Sequence, residues 1–139
     1  MDYFLIEVYT DGASQGNPGP SGAGIVIKAN DETYEYQHPL GEMSNHEAEF
    51  AAVHYALTIC LHQFPKEILS FRTDAQVVVD TIEKDGSKNK LYQSYLQSIR
   101  EKQQAFPYFF IKWIPAKQNR RADYLAKQAI HLTAQGQDM

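Results

Sequence analysis

Phe4, Ile6 and Val8 alternate with Leu5, Glu7 and Tyr9, and the chain then runs into Thr10-Asp11-Gly12-Ala13-Ser14-Gln15-Gly16-Asn17-Pro18-Gly19-Pro20-Ser21-Gly22-Ala23-Gly24. This junction constrains the fold more than any other stretch. Period-two alternation of β-branched and aromatic residues is the pattern of a strand covered on both faces. The glycines that follow allow a tight turn and the close approach of a second backbone. Asp11 therefore stands where a buried strand gives way to a glycine-rich turn. A local turn aspartate would account for it taken alone.

At 139 residues, with 43% hydrophobic residues, the chain can bury one substantial core, and a second domain would leave both undersized. A single domain over residues 1–139 is expected, with a polar, frayed tail at 133–139. No apolar run reaches membrane-spanning length, and the Met1-Asp2-Tyr3-Phe4 start has neither the basic residues nor the cleavage site of a secretory signal. A cytoplasmic protein with no membrane partner is expected, and a monomer. The one cysteine, Cys60, lies in a helical apolar pattern and reads as core. The net charge of -4 hides an asymmetry: residues 1–83 hold three Lys/Arg against thirteen Asp/Glu, and residues 84–139 hold ten against four. An acidic half beside a basic half suits cations on one side and phosphates on the other, although a solvated surface gives the same imbalance.

Gly24 to Ala29 and Glu32 to Leu40, joined at Asn30-Asp31, read as two further strands of an antiparallel meander. Ser44-Asn45-His46-Glu47 has the form of a capping box and opens a helix that Pro65 ends near Phe64. Its apolar stripe is Phe50, Val53, Leu57, Cys60, Leu61 and Phe64. A strand at Ile68–Thr73 precedes a helix carrying Val78, Val79 and Ile82, broken at Asp85-Gly86-Ser87. A further helix carries Leu91, Tyr95 and Ile99 and ends near Phe106-Pro107, Tyr108–Trp113 reads as a buried last strand, and Asn119 caps a terminal helix carrying Leu125, Ala126, Ala129 and Ile130.

Four acids stand out in this layout. Glu47 is explained by capping, but Glu49 turns toward the edge of the apolar stripe, where a carboxylate must be protonated, paired or bound to metal. Asp74 ends a strand, as site residues of open α/β sheets do, although a simple N-cap would also explain it. Asp123 falls in the first turn of the last helix, where the macrodipole favours an acid. With Asp11, they come from separate elements.

The motifs Thr10-Asp11-Gly12 with Gly16-Asn17-Pro18-Gly19-Pro20, Ser44-Asn45-His46-Glu47-Ala48-Glu49, Thr73-Asp74-Ala75-Gln76 and Asn119-Arg120-Arg121-Ala122-Asp123-Tyr124-Leu125-Ala126 span almost the whole chain. In these the chain resembles ribonuclease H, the type 1 branch. The resemblance implies an α/β fold with a five-stranded mixed sheet, its three N-terminal strands antiparallel, flanked by helices. It implies a metal-dependent endonuclease that hydrolyses the RNA strand of RNA/DNA hybrids by a two-metal-ion mechanism. Asp11, Glu49, Asp74 and Asp123 would be both catalytic and metal-binding, with Mg, or Mn, as cofactor; ions roughly 3.5–4 Å apart can clamp an in-line displacement, and carboxylates supply the hard oxygens. It further implies that Asn17, Asn45 and Gln76 contact the hybrid partner at ribose 2'-hydroxyls, which amides suit because they donate and accept. A turn, a helix start and a solvated helix face explain the same three residues without a ligand.

Two departures bear on rate and grip. Many family members carry a histidine in the loop before the last acid, and Ile114 to Ala122 contains none, although Lys117, Arg120 and Arg121 bring positive charge. The basic protrusion of many members is missing too, with Lys84, Lys88 and Lys90 as a partial replacement. Two other classes stay open: a hybrid-binding or regulatory module with little turnover, and another nuclease of the superfamily acting on DNA. Dinucleotide, phosphate-loop and zinc-protease patterns are each incomplete, and His54 and His62 read as surface residues.

Overall fold

The computed structural model describes residues 3–134. Its elements are β1 (Leu5–Ser14), β2 (Gly19–Ala29), β3 (Glu32–Met43), α1 (Asn45–Gln63), β4 (Ile68–Thr73), α2 (Gln76–Lys84), α3 (Lys90–Gln103), β5 (Tyr108–Trp113) and α4 (Arg120–Ala134), with a 3-10 turn at Ala116–Gln118. They form a five-stranded mixed sheet in the order β3-β2-β1-β4-β5. The first three strands are antiparallel, and β4 and β5 join in parallel. The expected sheet, strand directions and helix order are all present. Of the expected frayed tail, residues 135–139 lie outside the described residues.

Alternation along β1 sorts the two layers. Ile6 and Val8 face α1, α2 and α3 and join Ile25, Ile27, Leu69 and Phe71 in the main core. On the opposite face α4 packs against β1, β2 and β3, with a smaller cluster of Val26, Ala122 and Leu125 under Tyr9. At about 25 cal/mol per Å² of buried apolar surface, the larger cluster supplies most of the hydrophobic stabilisation. Cys60 lies within it, and burial pushes its thiol up to about 12.

Several expectations change. The strand does not end at Asp11: β1 continues to Ser14, β2 already begins at Gly19, and Asp11 pairs with Gly24 inside the ladder. The turn is correspondingly shorter, and at two of its glycines the expected close approach of a second backbone is present. A Cβ on Gly12 would run into the Ala48 carbonyl of α1, and one on Gly24 into the Ala122 carbonyl of α4. Helix α1 buries a broader face than its stripe, because Ala48, Ala51, Ala52 and Ala56 let it lie close to the sheet, while Leu61 and Phe64 are only partly covered. In α3 the buried positions are Leu96 and Ile99, flanked by Tyr92 and Tyr95, and Leu91 is exposed. The last strand is not buried: β5 is an edge strand, and because α4 stops at β1 its near face leaves Tyr108 57% and Phe110 56% exposed.

Candidate active site

Two close backbone approaches build the site. At Gly12 the start of α1 comes against β1, which brings Glu49 beside the end of that strand. At Gly24 the first turn of α4 comes against β2, which brings Asp123 over Asp11. Asp74 enters from β4, the parallel neighbour of β1.

Asp11 is the buried member, 6% exposed. Burial first, then the charge of Asp74, a hydrogen bond with Asp123 and the charges of Asp123 and Glu49, raise its carboxyl to about 9. Its surroundings thus favour the protonated form over the carboxylate. Glu49 is half-buried, and burial followed by the charge of Asp74 raises it to about 7. Among the described residues no Lys or Arg forms an ion pair with Asp11, Glu49 or Asp74, and only Asp123 has one, from Lys127 at 3.0 Å on the exposed side of α4. Negative charge is concentrated here, with Lys127 as the one cation ion-paired to these acids among the described residues.

Four carboxylates supply the hard anionic oxygens that Mg or Mn take, and this donor set fits such ions. Among the described residues no three acidic, His or Cys side chains already stand together as a ready metal cage. Like charges repel, and protonation of Asp11 would relieve that repulsion.

Glu47 lies outside the cluster. Ser44 Oγ accepts from the Glu47 N–H at 3.2 Å, as a capping box requires, but the Glu47 carboxylate accepts from the Tyr95 hydroxyl at 2.9 Å instead of reaching back to Ser44. Burial and this bond both raise the Tyr95 phenol. Asp74 is not a cap either: α2 starts after Ala75 with no side-chain cap, and Asp74 Oδ1 accepts from the Asn119 amide at 2.8 Å. Asn119 was expected to cap α4, yet its amide turns inward to Asp74 and to the Thr10 carbonyl. Its cap-like place in the sequence concealed this, and its long-range partners leave no local signal.

The three amides divide. Asn17 and Asn45 meet: the Asn45 N–H donates to Asn17 Oδ1 at 3.2 Å, and Asn45 Oδ1 accepts from the Ser14 N–H at 3.1 Å. They line a pocket of about 300 Å³ with Ser44, His46 and Tyr92. Gln76 stands apart on exposed α2, donating to Asp80 at 2.8 Å. In the loop without a histidine, Lys117 and Arg120 are exposed and Arg121 is engaged by Glu35 through two bonds. Burial and Lys102 hold half-buried His54 below its ordinary range.

A mixed sheet with carboxylates gathered from β1, α1, β4 and α4 defines a class of α/β domain built to concentrate negative charge at one end of a parallel strand pair. The family model described as Reverse transcriptase-like matches residues 9–129, and the chain belongs to that family, a ribonuclease H. The chain is 39% identical over 127 residues to a protein of Enterococcus faecalis named Putative hydrolase EbsB, covering 91% of this chain and 94% of that one. It is 31% identical over 134 residues to Ribonuclease HI of Halobacterium salinarum, covering 90% of this chain and 64% of that relative. Among solved structures, LC11-RNase H1, crystallised in complex with RNA/DNA hybrid, superposes with a TM-score of 0.81 at 28% identity, covering 91% of this chain and 96% of that one. The fold is that of these enzymes. No helix among the described residues is long and apolar enough to cross a membrane.

Proposed function

We propose that the chain is an endonuclease that hydrolyses the RNA strand of RNA/DNA hybrids with divalent metal ions. The observation that carries this reading is the buried Asp11 carboxyl with Asp74, Asp123 and Glu49 gathered near it, and with no ion pair to Asp11 among the described residues. A fold gains nothing in stability from such an arrangement, whereas a site that must receive cations needs it. Asp11, Glu49, Asp74 and Asp123 would hold Mg or Mn, and the chemistry such ions supply when bound is activation of a water and neutralisation of charge at the scissile phosphate.

The chain's own residues do the rest. Asp11 would take that role as the carboxylate, and its pairing with Gly24 in the β1–β2 ladder fixes it more firmly than a loop would. Asn17 and Asn45 have their side-chain oxygens engaged and present their amide N–H groups, whereas Gln76 donates to Asp80 and presents its oxygen. Donors at one place and an acceptor at the other match a ribose 2'-hydroxyl, which is both. Exposed Lys84, Lys88 and Lys90 at the α2–α3 junction would meet backbone phosphates. A monomer in the cytoplasm fits this reading.

The test is cleavage of a labelled RNA/DNA hybrid with Mg or Mn, beside duplex DNA and duplex RNA. Cutting of the hybrid's RNA strand alone is expected. Binding without cutting would make the chain a hybrid-binding module, and equal cutting of duplex DNA would make it a DNA nuclease of the same superfamily.

A further inference from the structure

Sheet hydrogen bonding does not set the spacing of the acids. The β1–β4 ladder runs from Leu5–Ile68 to Tyr9–Arg72 and ends there. Asp11 and Asp74 both lie past its last pair, where the two strands are no longer tied to each other. Something else must hold them in register.

We propose that Asn119 is a positioning residue that replaces the missing ladder and sets the separation of Asp11, Asp74 and Asp123. The inference rests on the reading of the cluster given above. Asn119 is 2% exposed. Its Nδ2 donates to the Thr10 carbonyl at 2.9 Å, the peptide unit joined to Asp11, and to Asp74 Oδ1 at 2.8 Å. Its own carbonyl accepts from the Asp123 N–H at 3.1 Å. One residue thus touches β1 beside the first acid, the carboxylate of the second, and the helical turn that carries the third.

The chemistry of the side chain excludes a packing role. Both partners of the amide are acceptors, so only its NH2 can face them, and the orientation is fixed without ambiguity. The consequence is a buried Asn119 Oδ1 with no hydrogen-bond partner among the described residues. A buried acceptor without a donor costs stability. An apolar residue would fill the space without that cost, but it could not span the end of β1 and the carboxylate on β4. The bond also reserves Asp74 Oδ1 and leaves Oδ2 to the site, as partners behind a metal ligand do when they orient it.

Three measurements test this. In EDTA, Asn119→Ala should lower Tm by about 5 °C, the loss of a hydrogen bond to a charged group in a chain of this size, and by clearly less in an Asp74→Ala background. Mn binding to the hybrid-free protein, measured by calorimetry, should weaken about 10- to 100-fold in Asn119→Ala. In hybrid cleavage kcat should fall by a similar factor with KM within twofold. Asn119→Ser, which keeps one donor and disturbs packing less, should fall between Ala and wild type and serves if the alanine variant does not fold. An unchanged Mn affinity and kcat in a variant of a wild type that does cleave would overturn the proposal, as would an equal Tm loss with and without Asp74. A wild type that neither binds Mn nor cleaves would overturn the functional reading instead, and the thermal comparison alone would then decide whether Asn119 holds Asp74.

Discussion

Asp11→Asn should make the metal-free protein more stable while abolishing cleavage. The carboxyl moves from an ordinary 3.8 to about 9 in the fold. Between those values the folded chain binds a proton that the unfolded chain has released, so wild-type stability falls as pH rises from about 4 to about 9. At pH 7 roughly three units of that interval have been crossed, which at about 1.4 kcal/mol each sets an upper bound of about 4 kcal/mol. Glu49 rises to about 7 in the same cluster and shares the burden of charge, and coupled groups divide such a penalty, so about 2 kcal/mol is expected. Asparagine has the same shape, carries no charge and can donate to Asp123 as the protonated acid does. With about 3–4 °C per kcal/mol for a chain of this size, Tm in EDTA should rise by about 6–8 °C at pH 7. The gain should vanish near pH 4 and level off above pH 9. Scanning calorimetry at pH 4.5, 7 and 8.5 measures it. A variant no more stable than wild type at pH 8.5, or a gain independent of pH, would refute the electrostatic argument, and near wild-type cleavage by the variant would refute the role of Asp11.

Glu49→Gln should lose cleavage, whereas Glu47→Gln should keep it and forfeit about 1 kcal/mol from the Tyr95 bond, as parallel cleavage and urea unfolding would show. Gly24→Ala sets a Cβ against the Ala122 carbonyl, so α4 must withdraw and carry Asp123 with it; Tm should drop by an amount matching about 1–3 kcal/mol together with activity, and a fully active variant would contradict the packing account. Gln76→Ala should weaken hybrid cleavage with the four acids intact, and hybrid binding should depend only shallowly on salt because the sparse basic surface around Lys84, Lys88 and Lys90 makes few phosphate contacts; an unchanged rate in the variant would leave Gln76 as an ordinary helix-surface residue.

Much of the layout was legible because it rests on local pattern. Alternation identified β1, the Ser44–Glu47 spacing and Pro65 bounded α1, and Asp85-Gly86 ended α2 where Asp85 does adopt a left-handed conformation, φ 55°. Helical phase alone separates Glu49 from Glu47. What local pattern could not reveal was the identity of distant partners. The glycines of residues 12–24 allow the approach of another backbone, but that Gly12 and Gly24 answer to α1 and α4, far downstream, is not written in them. Tyr108–Trp113 is apolar enough to read as buried, and its exposure follows only from α4 covering β1, β2 and β3 and leaving the β5 edge bare. Asn119 looks like a cap because caps are local, but its amide serves residues 109 and 45 positions away.

The acids lie at positions 11, 49, 74 and 123, and the last of them reaches the cluster only when α4 has packed onto β1 and β2. A chain growing from its amino terminus therefore displays the first three well before the fourth, with the β1–β2 face still bare. Domains acquire their structure during synthesis at about 5–20 residues per second, so some seconds separate Asp74 from Asp123 at the ribosome. A chain ending before residue 123 would lack the fourth acid and leave the β1–β2 face without its covering helix.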